Sequence, residues 1–132
     1  MRIATLLVLA ALAGAPGAER PMPGVLVTFD QTGGFAGIER GLVVHRSGKI
    51  VTDGLPLKTA RLGPTRLRVL RDALLHARFA TLQRLYESEQ PVADGYLYRI
   101  TYAGRSVRIE EDAKLPPRLE RVFDLLTGLV RD

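Results

Sequence analysis

Side chains able to do acid, base or metal chemistry are few in this 132-residue chain: two histidines, His45 and His76, and no cysteine. His45 ends an alternating apolar run and His76 falls in a helical one, so a zinc site would have to recruit Asp or Glu ligands with no recognisable spacing. Both read as edge or surface histidines instead. The run Glu110-Glu111-Asp112 offers oxygens to a hard cation but lacks the glycine turn and ligand alternation of a calcium loop. It reads as a solvated strand end whose carboxylates precede a helix N-terminus, where the helix dipole favours negative charge. No HExxH, GxSxG or phosphate-cradling GxxxxGK[ST] pattern occurs. The inventory therefore points to no catalytic residue, no metal site and no cofactor, and so away from an enzyme.

The least generic stretch is Thr32-Gly33-Gly34-Phe35-Ala36-Gly37-Ile38, where three glycines surround one large aromatic. Glycine permits positive φ and close backbone approach, so the loop can be tight and can carry Phe35 at a fixed position. Two readings compete. Phe35 folds inward as a core plug, the more economical choice, or it projects as an anchor for a partner's pocket. A second stretch, Asp94-Gly95-Tyr96-Leu97-Tyr98, is a turn opening an aromatic run, and Asp94 reads as pinning that turn through its carboxylate. The candidate partner-binding residues are Thr32, Gly33, Gly34, Phe35, Ala36, Gly37, Asp94 and Tyr96.

The elements that must position these residues follow from periodicity. Residues 25–30 read as a first strand, broken at 31–34. Residues 38–45 alternate as a second strand, and the turn Arg46-Ser47-Gly48-Lys49 leads to a short third strand at 50–52. Gly54, Pro56, Gly63 and Pro64 punctuate a loop over 53–63. Over 65–77, Leu67, Leu70, Ala73, Leu74 and Ala77 recur at helical spacing, with Arg68, Arg71 and Asp72 on the other side. That basic face is most simply a solvated one, though an acidic partner surface could use it. Phe79, Leu82, Leu85 and Tyr86 continue as a less regular segment over the core edge, followed by a polar loop at 87–94. Residues 96–102 and 106–110 form a hairpin across Ala103-Gly104-Arg105. Pro116 and Pro117 open a last helix with the face Leu119, Val122, Phe123, Leu126 and Leu129 or Val130. The expected fold class is α+β: a two-layer sandwich in the order ββ(β)α-ββα, with a mainly antiparallel sheet of four to five strands covered on one face by two helices.

The N-terminus reads as an export signal. Arg2 precedes an apolar run over 3–13 that is too short to span a bilayer, followed by Ala13, Gly14, Ala15, Pro16, Gly17 and Ala18. Cleavage after Gly17 or Ala18 starts the mature chain near Ala18 or Glu19; a retained anchor is the competing reading. The expected organisation is a signal peptide at 1–18, an extended leader at 19–24 containing Pro21 and Pro23, and one domain at 25–132. Such a protein would be periplasmic or secreted, with no stable membrane insertion after cleavage. Lacking cysteine, the domain must rely on core burial, and its length suits a single core. All but three of the full chain's 19 basic residues are arginine, scattered through every segment. The absence of a basic stripe interleaved with aromatics argues against nucleic-acid binding.

The T-G-G-F-A-G-I loop, the helix end Ala77-Arg78-Phe79-Ala80-Thr81-Leu82, the D-G-Y-L-Y strand start and the terminal Pro-Pro-Arg-Leu helix together resemble the emfourin family. The resemblance covers about 25–130, with Thr32 standing where the family is expected to carry serine and with the leader as a further departure. It implies a protein inhibitor of thermolysin-like zinc metallopeptidases such as protealysin, acting by occlusion of the substrate cleft. On that implication Phe35 is the candidate anchor, and Asp30 or Asp94 the carboxylate that approaches the catalytic zinc. An envelope adaptor or assembly module that docks another protein through its sheet edge or basic helix is the alternative.

Overall fold

A computed structural model of the chain describes residues 23–131. The expected signal peptide, its cleavage site and most of the leader lie outside the described residues. The first strand, β1 (Val25–Gly33), alternates as its sequence suggests: Val27 and Phe29 face inward and are buried, while Thr28, Asp30 and Thr32 face outward. A register shift between Val25 and Val27 lets Leu26 turn inward as well. The strand does not break at Gln31 but runs to Gly33, and the turn begins only at Gly34. Gln31, Thr32 and Gly33 pair on one side with β2 (Ile38–His45) and on the other with β5 (Tyr96–Tyr102), so pairing on both edges overrides the local punctuation.

With β3 (Ile50–Asp53), β4 (Leu85–Tyr86) and β6 (Arg105–Glu110), the sheet has six strands in the order β3-β2-β1-β5-β6-β4. That is one strand beyond the expected range. The extra strand comes from the segment after the 3-10 turn Phe79–Thr81, where Leu85 and Tyr86 lie parallel to Arg108 and Ile109. All other pairings are antiparallel. The architecture is α+β, as the periodicity indicates.

Two helices cover one face. Helix α1 (Pro64–Ala77) begins with proline at its first turn, where the missing N–H costs nothing, and ends at Arg78 in the left-handed region. It buries Leu67, Leu70, Ala73, Leu74 and Ala77. Helix α2 (Pro117–Thr127) opens at Pro116-Pro117 and buries Leu119, Val122 and Leu126. The two are joined by Arg118, whose Nε donates to Ala77 O at 2.9 Å and whose Nη2 donates to Thr81 Oγ1 at 3.1 Å. A cation thus sits on the carbonyl end of α1, the pole that favours it. The 54–63 loop is not regular, yet it is held at several points: Ile50 N donates to Ala60 O, and Lys58 N to Leu129 O. No helix among the described residues is long and apolar enough to cross a membrane.

The core lies between the sheet's inner face and the helices. Phe29 stacks on Tyr98 with ring centroids 5.8 Å apart, and Phe123 from α2 meets Tyr98 edge-on at 5.0 Å. Leu119 and Leu126 are wholly buried in this layer. Leu119→Ala should destabilise the fold by about 3 kcal/mol, through lost burial plus the cavity left behind, as read from the urea midpoint at unchanged m-value.

Candidate functional site

Strand β1 ends at Gly33, which faces Ile38 of β2 on one side and Tyr96 of β5 on the other. The two stretches singled out by composition, far apart in sequence, therefore meet at one end of the sheet. Residues 34–37 form the hairpin turn, closed by Gly37 N donating to Gly34 O at 3.1 Å. The turn is also tied sideways, since Gly34 N donates to Gly95 O at 3.3 Å.

Two of the glycines are required by geometry. Gly33 and Gly34 take φ of +95° and +77°, a region that suits glycine. A Cβ on Gly33 would lie 2.7 Å from Gly95 O, and one on Gly34 would lie 2.6 Å from Tyr96 Cε1. The turn is thus pressed against the Tyr96 ring, and no side chain fits between them. Phe35 stands at its tip, 96 % exposed. The inward-plug reading is therefore overturned: β1 stays paired up to Gly33, which leaves the tip beyond the sheet with no core to enter. Ala36 and Gly37 are exposed with it. Thr32 sits one position back on the open face, its Oγ1 donating to Leu97 O at 3.4 Å.

The second stretch packs beside the first. Gly95 N donates to Val92 O at 3.0 Å, closing a turn in which Asp94 takes φ of +60°. The Asp94 carboxylate is exposed and has no hydrogen-bond partner among the described residues, so it does not pin the turn as expected. That role belongs to Glu111. Its Oε1 accepts the Tyr96 N–H at 2.8 Å, and Glu111 N donates back to Tyr96 O at 3.0 Å. Glu110 Oε1 likewise accepts the Ser88 N–H at 2.9 Å and ties down the preceding loop. Glu110 and Glu111 are therefore not a solvated prelude to α2, whose N-cap is Pro116 with no side-chain cap. Sequence reasoning passed over Glu111 because only the pairing of β5 with β6 brings it to Tyr96.

Around this tip the surface is apolar at two points, Phe35 and the 46 % exposed Val92. A shallow cleft of about 210 Å³ lies beside Val92, lined also by Pro91, Tyr96 and Glu111 among others. Below the tip, Tyr96 approaches Tyr98 with ring centroids 6.2 Å apart, and Tyr98 stacks on Phe29, so aromatic contacts run from the turn into the core. Asp30 lies on the open sheet face, where its Oδ2 accepts from Arg99 Nη2 at 3.2 Å and Nε at 3.3 Å. Its charge is thus engaged, whereas that of Asp94 meets no partner among the described residues. His45 is half-buried at the end of β2 and His76 is exposed on α1. Among the described residues, no group of three or more His, Asp or Glu side chains is placed to hold a metal ion.

No protein-family model matches the chain, and comparisons with curated proteins and with solved structures find no match either.

The tip should loosen when its supports are cut. Glu111→Ala should cost about 1–2 kcal/mol, by leaving the Tyr96 N–H without its acceptor, and Glu111→Gln should cost less because it keeps an oxygen there. Amide hydrogen exchange at Tyr96 and Gly34 is the direct readout: both should exchange faster in the alanine variant. Burial first, and then the Glu111 carboxylate, raise the Tyr98 phenol above its ordinary value. The unfolded chain loses this proton near pH 10 while the folded chain keeps it, so stability is full below that pH and falls above it. Thermal melts between about pH 8 and about pH 11 should show this alkaline loss, reduced in Tyr98→Phe, which has no proton to lose.

Proposed function

We propose that the protein binds another protein through the 33–37 turn, with Phe35 as the anchor, and that the partner is a thermolysin-like zinc metallopeptidase whose substrate cleft the turn occludes. The observation that carries this reading is the 96 % exposure of a phenylalanine on a turn that glycine geometry and the Tyr96 ring hold rigid. A large aromatic left in water costs burial energy that a monomer does not recover, whereas a partner's apolar pocket would recover it. Because the turn is already tied to Gly95 and backed by β5, little conformational entropy is lost on docking.

The choice of partner rests on the resemblance to the emfourin family together with this shape. Thermolysin-like enzymes prefer a bulky apolar residue beside the scissile bond, and Phe35 supplies one on a turn whose tight closure would keep any bond out of productive geometry. Asp94, whose carboxylate on the adjoining turn has no partner among the described residues, is the group that would approach the catalytic zinc; Asp30 is held by Arg99. Inhibition in this scheme is occlusion, with no chemistry on the inhibitor's side.

The test is a titration of a thermolysin-like peptidase with the purified protein, following residual activity and complex formation together. Stoichiometric loss of activity is expected. Phe35→Ala should weaken it at least tenfold, about 1.4 kcal/mol, with circular dichroism and melting temperature unchanged. Equal inhibition by the variant removes the turn from the contact. Complex formation without inhibition would support the adaptor reading instead.

A further inference from the structure

The end of the sheet opposite Phe35 has a different chemistry. There residues 46–49 turn from β2 into β3, and cations from separate segments gather round them. Arg71 on α1 donates from Nη2 to Arg46 O at 3.0 Å, and Arg61 donates from Nη1 to Ser47 O at 3.1 Å. Arg46 and Lys49 belong to the turn itself, and Lys49 is bridged through its backbone to Arg61. Arg68 lies three residues before Arg71, on the same side of α1.

All five side chains are exposed, and none forms an ion pair with an acid among the described residues. Two of the guanidiniums are positioned by backbone carbonyls, which fixes their place without cancelling their charge. Leu75, four residues after Arg71 and so on the same stripe, is 66 % exposed. Gly24 O accepts the Arg46 N–H at 2.8 Å, so the start of β1 lies at this end as well.

We propose that this end docks on an anionic phospholipid bilayer, with Arg46, Lys49, Arg61, Arg68 and Arg71 among the headgroups and Leu75 entering the interface. Each basic side chain near an anionic surface strengthens partition by about fivefold, so several on one patch give useful binding without any inserted helix. The exposed leucine favours a bilayer over a nucleic acid, for which these residues supply no stacking ring. This docking would hold the Phe35 turn away from the membrane, and it does not depend on what that turn binds.

The test is flotation of the protein, purified from the soluble fraction after expression of its whole reading frame, with phosphatidylcholine vesicles with or without phosphatidylglycerol. Binding only to the anionic vesicles is expected, and it should be lost in high salt, where exposed charges are screened. Lys49→Glu with Arg68→Glu should weaken it by about thirtyfold or more, at unchanged melting temperature, because neither side chain bonds to another group among the described residues. Leu75→Ala should weaken it severalfold. The proposal is overturned by equal binding to neutral vesicles, by no binding to anionic ones, or by undiminished binding of the double variant. Tighter binding to single-stranded DNA than to anionic vesicles overturns it as well.

Discussion

Pairing of β1 along both edges is the constraint on which the rest of this structure depends. A strand bonded on one side can slip or fray, but Gly33 faces Ile38 and Tyr96 at once, so β1 cannot shift register without breaking both ladders. The doubled pairing carries β1 through residues that locally favour a turn. It also fixes where the sheet stops and where the 34–37 turn begins. Phe29, on the same strand, joins the ladder to the helices through its contacts with Tyr98 and Phe123. The position of the tip is thus linked to the packing of the core.

From that constraint follows a division of the molecule into two ends. At one, backbone bonds to Gly95, the Tyr96 ring and the Glu111 carboxylate stiffen a turn that presents a single aromatic side chain. At the other, arginines bonded to turn carbonyls present charge that no acid among the described residues pairs. Between them the open face carries the Asp30–Arg99 ion pair, which joins neighbouring strands. The ends differ in what they leave unsatisfied: apolar surface at the tip, positive charge at the base. Both proposed contacts arise from those unsatisfied surfaces rather than from a pocket.

The stiffness of the tip is achieved without a disulfide, in a chain that has no cysteine. Glycine is ordinarily a source of chain entropy, yet at Gly33 and Gly34 it is the residue that lets the backbone close onto a tyrosine ring and a carbonyl. The flexible residue here permits the tight contact, and the contact then removes the flexibility. Arg118 plays a comparable part in the helical layer, where one guanidinium holds both the end of α1 and the turn that follows it.

Sequence alone determined the elements whose side chains repeat. The alternation of Val27 and Phe29, the helical spacing of Leu67, Leu70 and Leu74, and the proline-led face of Leu119, Val122 and Leu126 each specify an element and its buried side, because burial acts on a period that can be counted. It also marked the glycine turn as unusual. What it could not decide was where that turn points: an aromatic between glycines suits a core or a surface, and the core, the more economical reading, was the wrong one. Nor could it find β4, two residues with no period, or assign Glu111 to Tyr96, because a carboxylate among carboxylates shows its partner only once β6 lies against β5. These features depend on contacts between segments far apart in the chain, and long-range pairing leaves no local repeat to read.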